Sequence, residues 1–359
     1  MRDLSVKDVL PAMYGGLLLS AGGSGVNNSL EKHDLAAEVA LGLNTIRLAK
    51  LDEIDDEGYV LISTSVGAPG FAKPELVLKD HISAADSLIE KLGSKPVGIM
   101  CGHVPGFNGW LVAAALDVPY IDAAANGRGH PTVKMGGMGL ASRPDISIVQ
   151  VAQAGYASTG SKISVVAEGN LVKTSQVMRH CATISGGLVA SARGPYKPDF
   201  IAENGASGAI SFQIELGEAM LSAEPGLNRA TAAASFMGGE VIISGRVIKN
   251  DVDYKDGFDI GYVTVSNGSE TLTLGVYNEF MTADKEGTRV ATFPDMIGSV
   301  DARTGDPIAI STMSEGQEVS IIIAHHSQFP LGKGAIDPVV FTEIEQGLGV
   351  ELYSYIKSN

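Results

Sequence analysis

Three short apolar runs in the first 125 residues each stop at a glycine-rich polar segment. Residues 59–64 run into Ser65-Val66-Gly67-Ala68-Pro69-Gly70. Residues 96–100 run into Cys101-Gly102-His103-Val104-Pro105-Gly106, and residues 119–122 run into a segment ending Gly127-Arg128-Gly129-His130-Pro131. Helical apolar patterns at 29–43, 74–92 and 108–116 lie between or beside them. Strand, loop, helix repeated in this order predicts an α/β unit. Ligands of open α/β sheets sit beyond the carboxyl ends of the strands. The loops at 22–28, 66–70, 101–108 and 122–131 are therefore expected to converge. Glycine makes up 44 of 359 residues and gathers at these breaks. It permits positive φ and close backbone approach, so main-chain groups should help to build the site.

The character changes at Glu240. Residues 241–248, 261–265, 271–277, 289–292 and 319–324 are short β-rich runs separated by Asp-Gly, Asn-Gly and Thr-Gly-Asp turns. Such spacing predicts an antiparallel sandwich or barrel. Before it, residues 146–153 and 162–167 read as a β pair, 171–188 as a helix or long apolar connection, and 205–221 as a helix. The expected organisation is an α/β domain at 1–200 carrying the site and a β-rich domain with a preceding helix at 201–359, the boundary falling within 190–240.

Charge and cysteine content narrow the function classes. A formal net charge of −15 repels phosphate backbones and anionic lipid, so neither a nucleic-acid nor a membrane partner is expected. No stretch reaches the roughly 18 apolar residues of a membrane span. The first residues lack the shape of a signal peptide. Two cysteines, Cys101 and Cys181, make no disulfide framework and fit free thiols in a reducing compartment, which points to the cytoplasm.

Several residues could carry chemistry. Asp122 ends an apolar strand, where a carboxylate can serve as a base or metal ligand; the competing reading is a helix cap. His103 lies in a glycine- and proline-bounded loop, as a base, a metal ligand or a plain turn residue. Arg128 can clamp a carboxylate or carbonyl, or sit in a surface ion pair. His130 follows two residues later. Asn278-Glu279 trails the run at 271–277 and is either a turn pair or a reach into the site. Gly22, Gly23 and Gly25 precede a helical pattern and could present N–H groups to an anion, or simply form a tight turn. No lysine follows them as in a phosphate loop, which disfavours a nucleotide-dependent enzyme. Cys101 reads as a buried thiol. His180 reads as a structural histidine on an apolar helix. His325-His326 at a strand end would point to opposite faces if the strand continued, so they are secondary candidates.

In order along the chain come Ser20-Ala21-Gly22-Gly23-Ser24-Gly25, Val66-Gly67-Ala68-Pro69, Gly106-Phe107-Asn108, and Val118-Pro119-Tyr120-Ile121-Asp122 running on to Gly127-Arg128-Gly129-His130-Pro131. Asn278-Glu279-Phe280-Met281-Thr282-Ala283, Phe293-Pro294-Asp295-Met296-Ile297 and Asp301-Ala302-Arg303-Thr304-Gly305-Asp306-Pro307 follow. This set resembles the S-methyl thiohydantoin desulfurase family, formerly a domain of unknown function found beside hydantoinase and oxoprolinase subunits. The resemblance implies an N-terminal α/β domain, a β-rich C-terminal domain, and hydrolysis of a five-membered cyclic amide, hydantoin or thiohydantoin-like ring. On that reading Asp122 or His103 activates water, directly or through a divalent metal such as zinc. Gly22, Gly23, Gly25, Asn108, His130, Glu279 and Arg128 then hold the ring or its developing charge. Two departures are His103, where the resemblance leads one to expect Glu, and Ser24, which interrupts the glycine run. The alternative is a non-catalytic binding subunit of a hydantoinase/oxoprolinase-like assembly. Partners are then a small heterocycle and either further copies of the chain or hydantoinase-like subunits.

Overall fold

The computed structural model describes residues 1–23, 30–67, 74–255 and 257–358. Its first sheet is built from β1 (Arg2–Leu4), β2 (Ile46–Ala49), β3 (Val60–Gly67), β4 (Gly98–Cys101), β5 (Tyr120–Ala124), β6 (Ile148–Ala154), β7 (Ile163–Gly169) and β8 (Leu188–Tyr196), with the two-residue β9 (Ala206–Ser207) paired to β5. The strand order is β1-β2-β5-β4-β3-β8-β6-β7. Only β2, β5, β4 and β3 run parallel; β1, β8, β6 and β7 are antiparallel to their neighbours. A parallel sheet buries both faces, which is why its strands read as continuous apolar runs. Alternate residues go to opposite cores. Leu61, Ile99 and Tyr120 pack with Trp110, Leu111 and Ile214, whereas Ile62, Met100 and Ile121 pack with Met135, Phe341 and Leu352.

The helices of this half are α1 (Val6–Leu19), α2 (Leu30–Leu43), α3 (Leu78–Leu92), α4 (Phe107–Leu116), α5 (Leu171–Ile184), α6 (Pro198–Asn204), α7 (Ala209–Ser222) and α8 (Leu227–Phe236). The segment expected at 171–188 splits: α5 stops before Gly186 and Gly187, whose φ values of 71° and 97° turn the chain back, and β8 begins at Leu188. Helix α1 had no visible period because it is buried at every position from Pro11 to Leu19. It meets α7 backbone to backbone. A Cβ on Gly15 would lie 1.9 Å from the Gln213 carbonyl oxygen, and one on Gly217 would lie 1.9 Å from that of Pro11.

The second sheet contains β10 (Glu240–Lys255), β11 (Phe258–Ser266), β12 (Thr271–Tyr277), β13 (Glu279–Lys285), β14 (Thr288–Thr292), β15 (Met296–Asp301) and β16 (Glu318–Ala324). All neighbours are antiparallel, in the order β14-β13-β12-β11-β10-β16-β15. The sheet curls into a half-barrel around Val263, Leu274, Phe280 and Ile321. Helix α9 (Phe341–Leu348) adds Phe341 and Ile344 to the core between the two sheets, and Leu352, just before α10 (Tyr353–Ser358), joins them. No helix among the described residues is long and apolar enough to cross a membrane.

Candidate functional site

Parallel β4 and β5 release their following loops at the same end of the sheet, and backbone hydrogen bonds knit those loops to the end of α1 and to β13. Ala125 N donates to Cys101 O (3.1 Å) and Asn126 N to Gly102 O (3.0 Å). Gly129 N donates to Leu19 O (2.8 Å), and Ser20 Oγ donates to Val104 O (3.2 Å). Phe280 N of the second sheet donates to Ala21 O (2.9 Å), and Ile310 N, in a short turn between β15 and β16, donates to Gly22 O (2.9 Å). Of the loops expected to converge, those at 101–108 and 122–131 meet the described start of 22–28, whereas Val66 and Gly67 pack on Leu188, Gly187 and Met178. Gly25 and the rest of 24–29, and 68–70, lie outside the described residues.

Glu279 is the most perturbed acid of this junction. Asn278 takes a left-handed φ of 60°, held by its Oδ1 accepting from Asp259 N (2.8 Å), and so delivers Glu279 inward as the first residue of β13. The side chain is buried, and its Oε2 has no hydrogen-bond partner. It lies against glycines: a Cβ on Gly23 would come 2.3 Å from Oε1, and one on Gly129 3.0 Å from Cγ. Burial pushes its carboxyl up to about 8, with Arg128 and Arg179 pulling it down and Asp259 adding to the rise.

His103 and His130 meet edge to face, ring centroids 5.3 Å apart. His103 Nδ1 lies 2.7 Å from Val104 O, and His130 Nδ1 lies 3.2 Å from Arg128 O. A carbonyl only accepts, so each Nδ1 carries the proton and each Nε2 keeps its lone pair. Burial pushes both imidazoles down, His130 further because His103 and nearby arginines oppose its charge. Two neutral rings with free Nε2 atoms are donors that zinc accepts. Among the described residues they do not complete a group of three ligands; the group that does is Asp295, His325 and His326.

The other sequence candidates have structural partners. Asp122 is a cap on α7: Oδ1 accepts from Ile210 N (3.0 Å) and Ser211 N (2.9 Å), and Oδ2 accepts from Ser211 Oγ (2.6 Å). It shares no hydrogen-bond partner with either histidine, because the alternation along β5 aims it at the α7 face. Asp122→Ala should cost about 2–4 kcal/mol, since charged hydrogen bonds to an otherwise open helix start are lost. Denaturant titration reads that loss, while activity per folded molecule should stay near that of the parent. A large fall in kcat with unchanged stability would return Asp122 to the chemistry.

Arg128 is fully buried. Its Nε donates to Gly129 O (3.1 Å), Nη2 to Phe280 O (2.8 Å) and Nη1 to Asp295 O, with the guanidinium 4.7 Å from the Phe293 ring centroid. The geometry makes it a tie between the loop after β5 and the second sheet. Asn108 lies in the first turn of α4 with Oδ1 accepting from Gly109 N (3.0 Å). Burial pushes the Cys101 thiol up to about 12, so it stays protonated, and both cysteines are free. His180 is exposed on α5 rather than packed in the core.

Two arginines, the half-buried Arg179 and the buried Arg193, escaped the sequence reading. Arg179 of α5 donates to Gly257 O (3.0 Å) and Pro131 O (2.8 Å), 4.1 Å from the Phe258 ring centroid. Arg193 of β8 donates to Val133 O (3.4 Å) and to Gly136 O. A lone cation inside an otherwise apolar segment was the available signal for Arg193; Arg179, beside His180 on a mixed helix, had none.

Residues 7–160 match the family model described as S-Me-THD-like, N-terminal domain, and residues 169–337 match S-Me-THD-like, C-terminal domain. No curated protein matches the chain. The crystal structure of a protein from Chromobacterium violaceum superposes with a TM-score of 0.67 at 19% identity, covering 90% of this chain and 91% of that one. At that identity the likeness is one of fold.

Proposed function

Because the chain belongs to the S-Me-THD-like family, we propose that it is a hydrolase of a five-membered ring of the hydantoin or S-methyl thiohydantoin type, acting where its two sheets meet. One observation carries this reading: the buried, unpartnered Glu279 carboxyl lies against Gly129, next in the chain to His130 of the edge-to-face histidine pair, and burial pushes the carboxyl up to about 8 and both imidazoles down. At neutral pH the carboxyl then holds a proton to give, and the imidazoles have lone pairs to receive one. Opposed displacement of this kind separates the roles of acid and base.

For an S-methyl thiohydantoin the reaction is addition of water to the ring carbon that bears sulfur. A histidine Nε2 takes one proton of the attacking water as the C–O bond forms. The tetrahedral carbon then collapses, and the C–S bond breaks. Glu279 protonates the departing sulfur, so methanethiol leaves. The carbon becomes a carbonyl and the adjacent ring nitrogen keeps the remaining proton. Glu279 is recharged by the proton that the histidine collected. Arg128, whose charge lowers the Glu279 pKa, acts here as a positioning residue.

The test is methanethiol release from S-methyl thiohydantoin by the purified chain, with and without added zinc, beside ring opening of plain hydantoin. Turnover should appear and fall about 10²-fold or more in His130→Ala, the usual worth of a general base. Tight binding of the ring with no turnover under either condition would sink the enzyme reading in favour of a binding subunit.

A further inference from the structure

We propose that Asp295, His325 and His326 form a binding site for a divalent transition metal of the zinc class, separate from the Glu279 junction. One donor atom from each of the three residues lies within 4.8 Å of the others. The arrangement exists because the chain leaves the pleat. Strand β16 ends at Ala324, and His325 caps a short 3-10 turn over His326–Gln328. The two rings therefore do not alternate across a sheet as the sequence suggested; they lie side by side with centroids 4.1 Å apart and planes inclined by 36°.

Asp295 is held in place from both ends. Its Oδ1 accepts from His326 N (2.9 Å) and lies 2.9 Å from His326 Nδ1, while its backbone carbonyl is gripped by the buried Arg128. His325 Nδ1 accepts from Ser327 N (3.3 Å) and lies 2.8 Å from Ser327 Oγ; a cation at Nε2 takes the ring in its other tautomer, with Nδ1 donating to Ser327 Oγ. Metal–donor bonds of about 2.0–2.2 Å place tetrahedral donors about 3.3–3.6 Å apart. The His326–Asp295 pair is already near that spacing, and a cation there replaces the proton they share. His325 is exposed, so a side-chain rotation brings its ring in by the remaining ångström or so.

Two imidazoles with one carboxylate select zinc-like ions over calcium or magnesium, which prefer all-oxygen shells. The site borders a cavity of about 390 Å³ lined by Gly238, Gly239, Glu240, Asp295, Ile323 and His325. Three protein ligands leave a coordination position open toward that cavity for water or an anionic ligand.

The experiment is zinc binding to metal-stripped full-length protein by equilibrium dialysis, with cobalt(II) as a spectroscopic probe. Wild type should bind about one zinc per chain at micromolar zinc and show cobalt d–d bands of low coordination number. His325→Ala and Asp295→Asn should each weaken binding more than about 100-fold, beyond the 10–100-fold typical of a merely supporting partner. Thermal melting confirms that each variant is folded, and His325→Gln repeats the measurement should the alanine variant be unstable. Absence of binding to wild type overturns the proposal. So does zinc retained by His325→Ala but lost from His130→Ala, which would put the metal at the histidine pair of the junction. The readout needs no substrate, so the site can fail while the hydrolase reading stands, and the reverse.

Discussion

Glu279→Gln should lower turnover about 10²–10⁴-fold and at the same time make the protein more stable at alkaline pH. The carboxyl is buried, its Oε2 is unpartnered, and its pKa is raised to about 8 in the folded chain from an ordinary 4.5. Between those two pH values the folded state holds a proton that the unfolded state has released. Stability associated with Glu279 is thus full below about 4.5 and is lost as pH rises through about 8. The cost approaches several kcal/mol above pH 8, at about 1.4 kcal/mol per unit of displacement. Gln is neutral at every pH and close in shape, so it removes the cost and also the transferable proton. Urea titrations at pH 5 and pH 9 should show wild type weakening with pH and the variant changing less. The activity of wild type should fall as pH rises through about 8, and the variant's residual activity should lack that limb. Unchanged kcat in Glu279→Gln would move the acid elsewhere.

Arg128→Met should destabilise the protein by about 4 kcal/mol or more. Three buried carbonyls, of Gly129, Phe280 and Asp295, lose their donor. Each unpaired buried polar group costs about 1–3 kcal/mol. Loss of the guanidinium under Phe293 adds a packing defect. Arg128→Lys should recover little, because one ammonium cannot serve three diverging acceptors in a fixed fork. Arg128 also lowers the Glu279 pKa, so in any Arg128→Met that folds the alkaline limb should move upward. A substrate clamp would give the opposite pattern: raised KM, unaltered midpoint, unaltered limb.

The α/β unit was legible because strands buried on both faces must be apolar throughout and must end in chain-reversing glycines. The runs ending at Ser65, Cys101 and Ala123 are β3, β4 and β5, and the pair at 146–153 and 162–167 is β6–β7. The β-rich half showed itself by its turn chemistry. Three features had no local signature. Helix α1 is buried nearly all round and carries Pro11 and paired glycines that look like breakers, yet Gly15 lets it lie against α7 and Gly16 against Pro105. Strand β8 lies just beyond the segment read at 171–188 and shares only Leu188 with it. Helices α9 and α10 are short, and tertiary packing rather than propensity sustains them.

At the junction the division is sharper. Sequence order alone set which residues stand at the strand ends, and so brought His103, Asp122, Arg128 and His130 to the carboxyl end of two neighbouring strands. Tertiary structure decided what each side chain faces. Strand parity turned Asp122 toward α7, where it caps a helix that begins 87 residues later. The parallel alignment of β4 and β5 set His103 beside His130. Glu279 lies in the other sheet and became a proton-holding acid only when Gly23 and Gly129 closed over it. Periodicity and turn chemistry are local and can be read along the chain, whereas burial and the pKa it sets depend on groups brought together from distant sequence, and no local pattern encodes them.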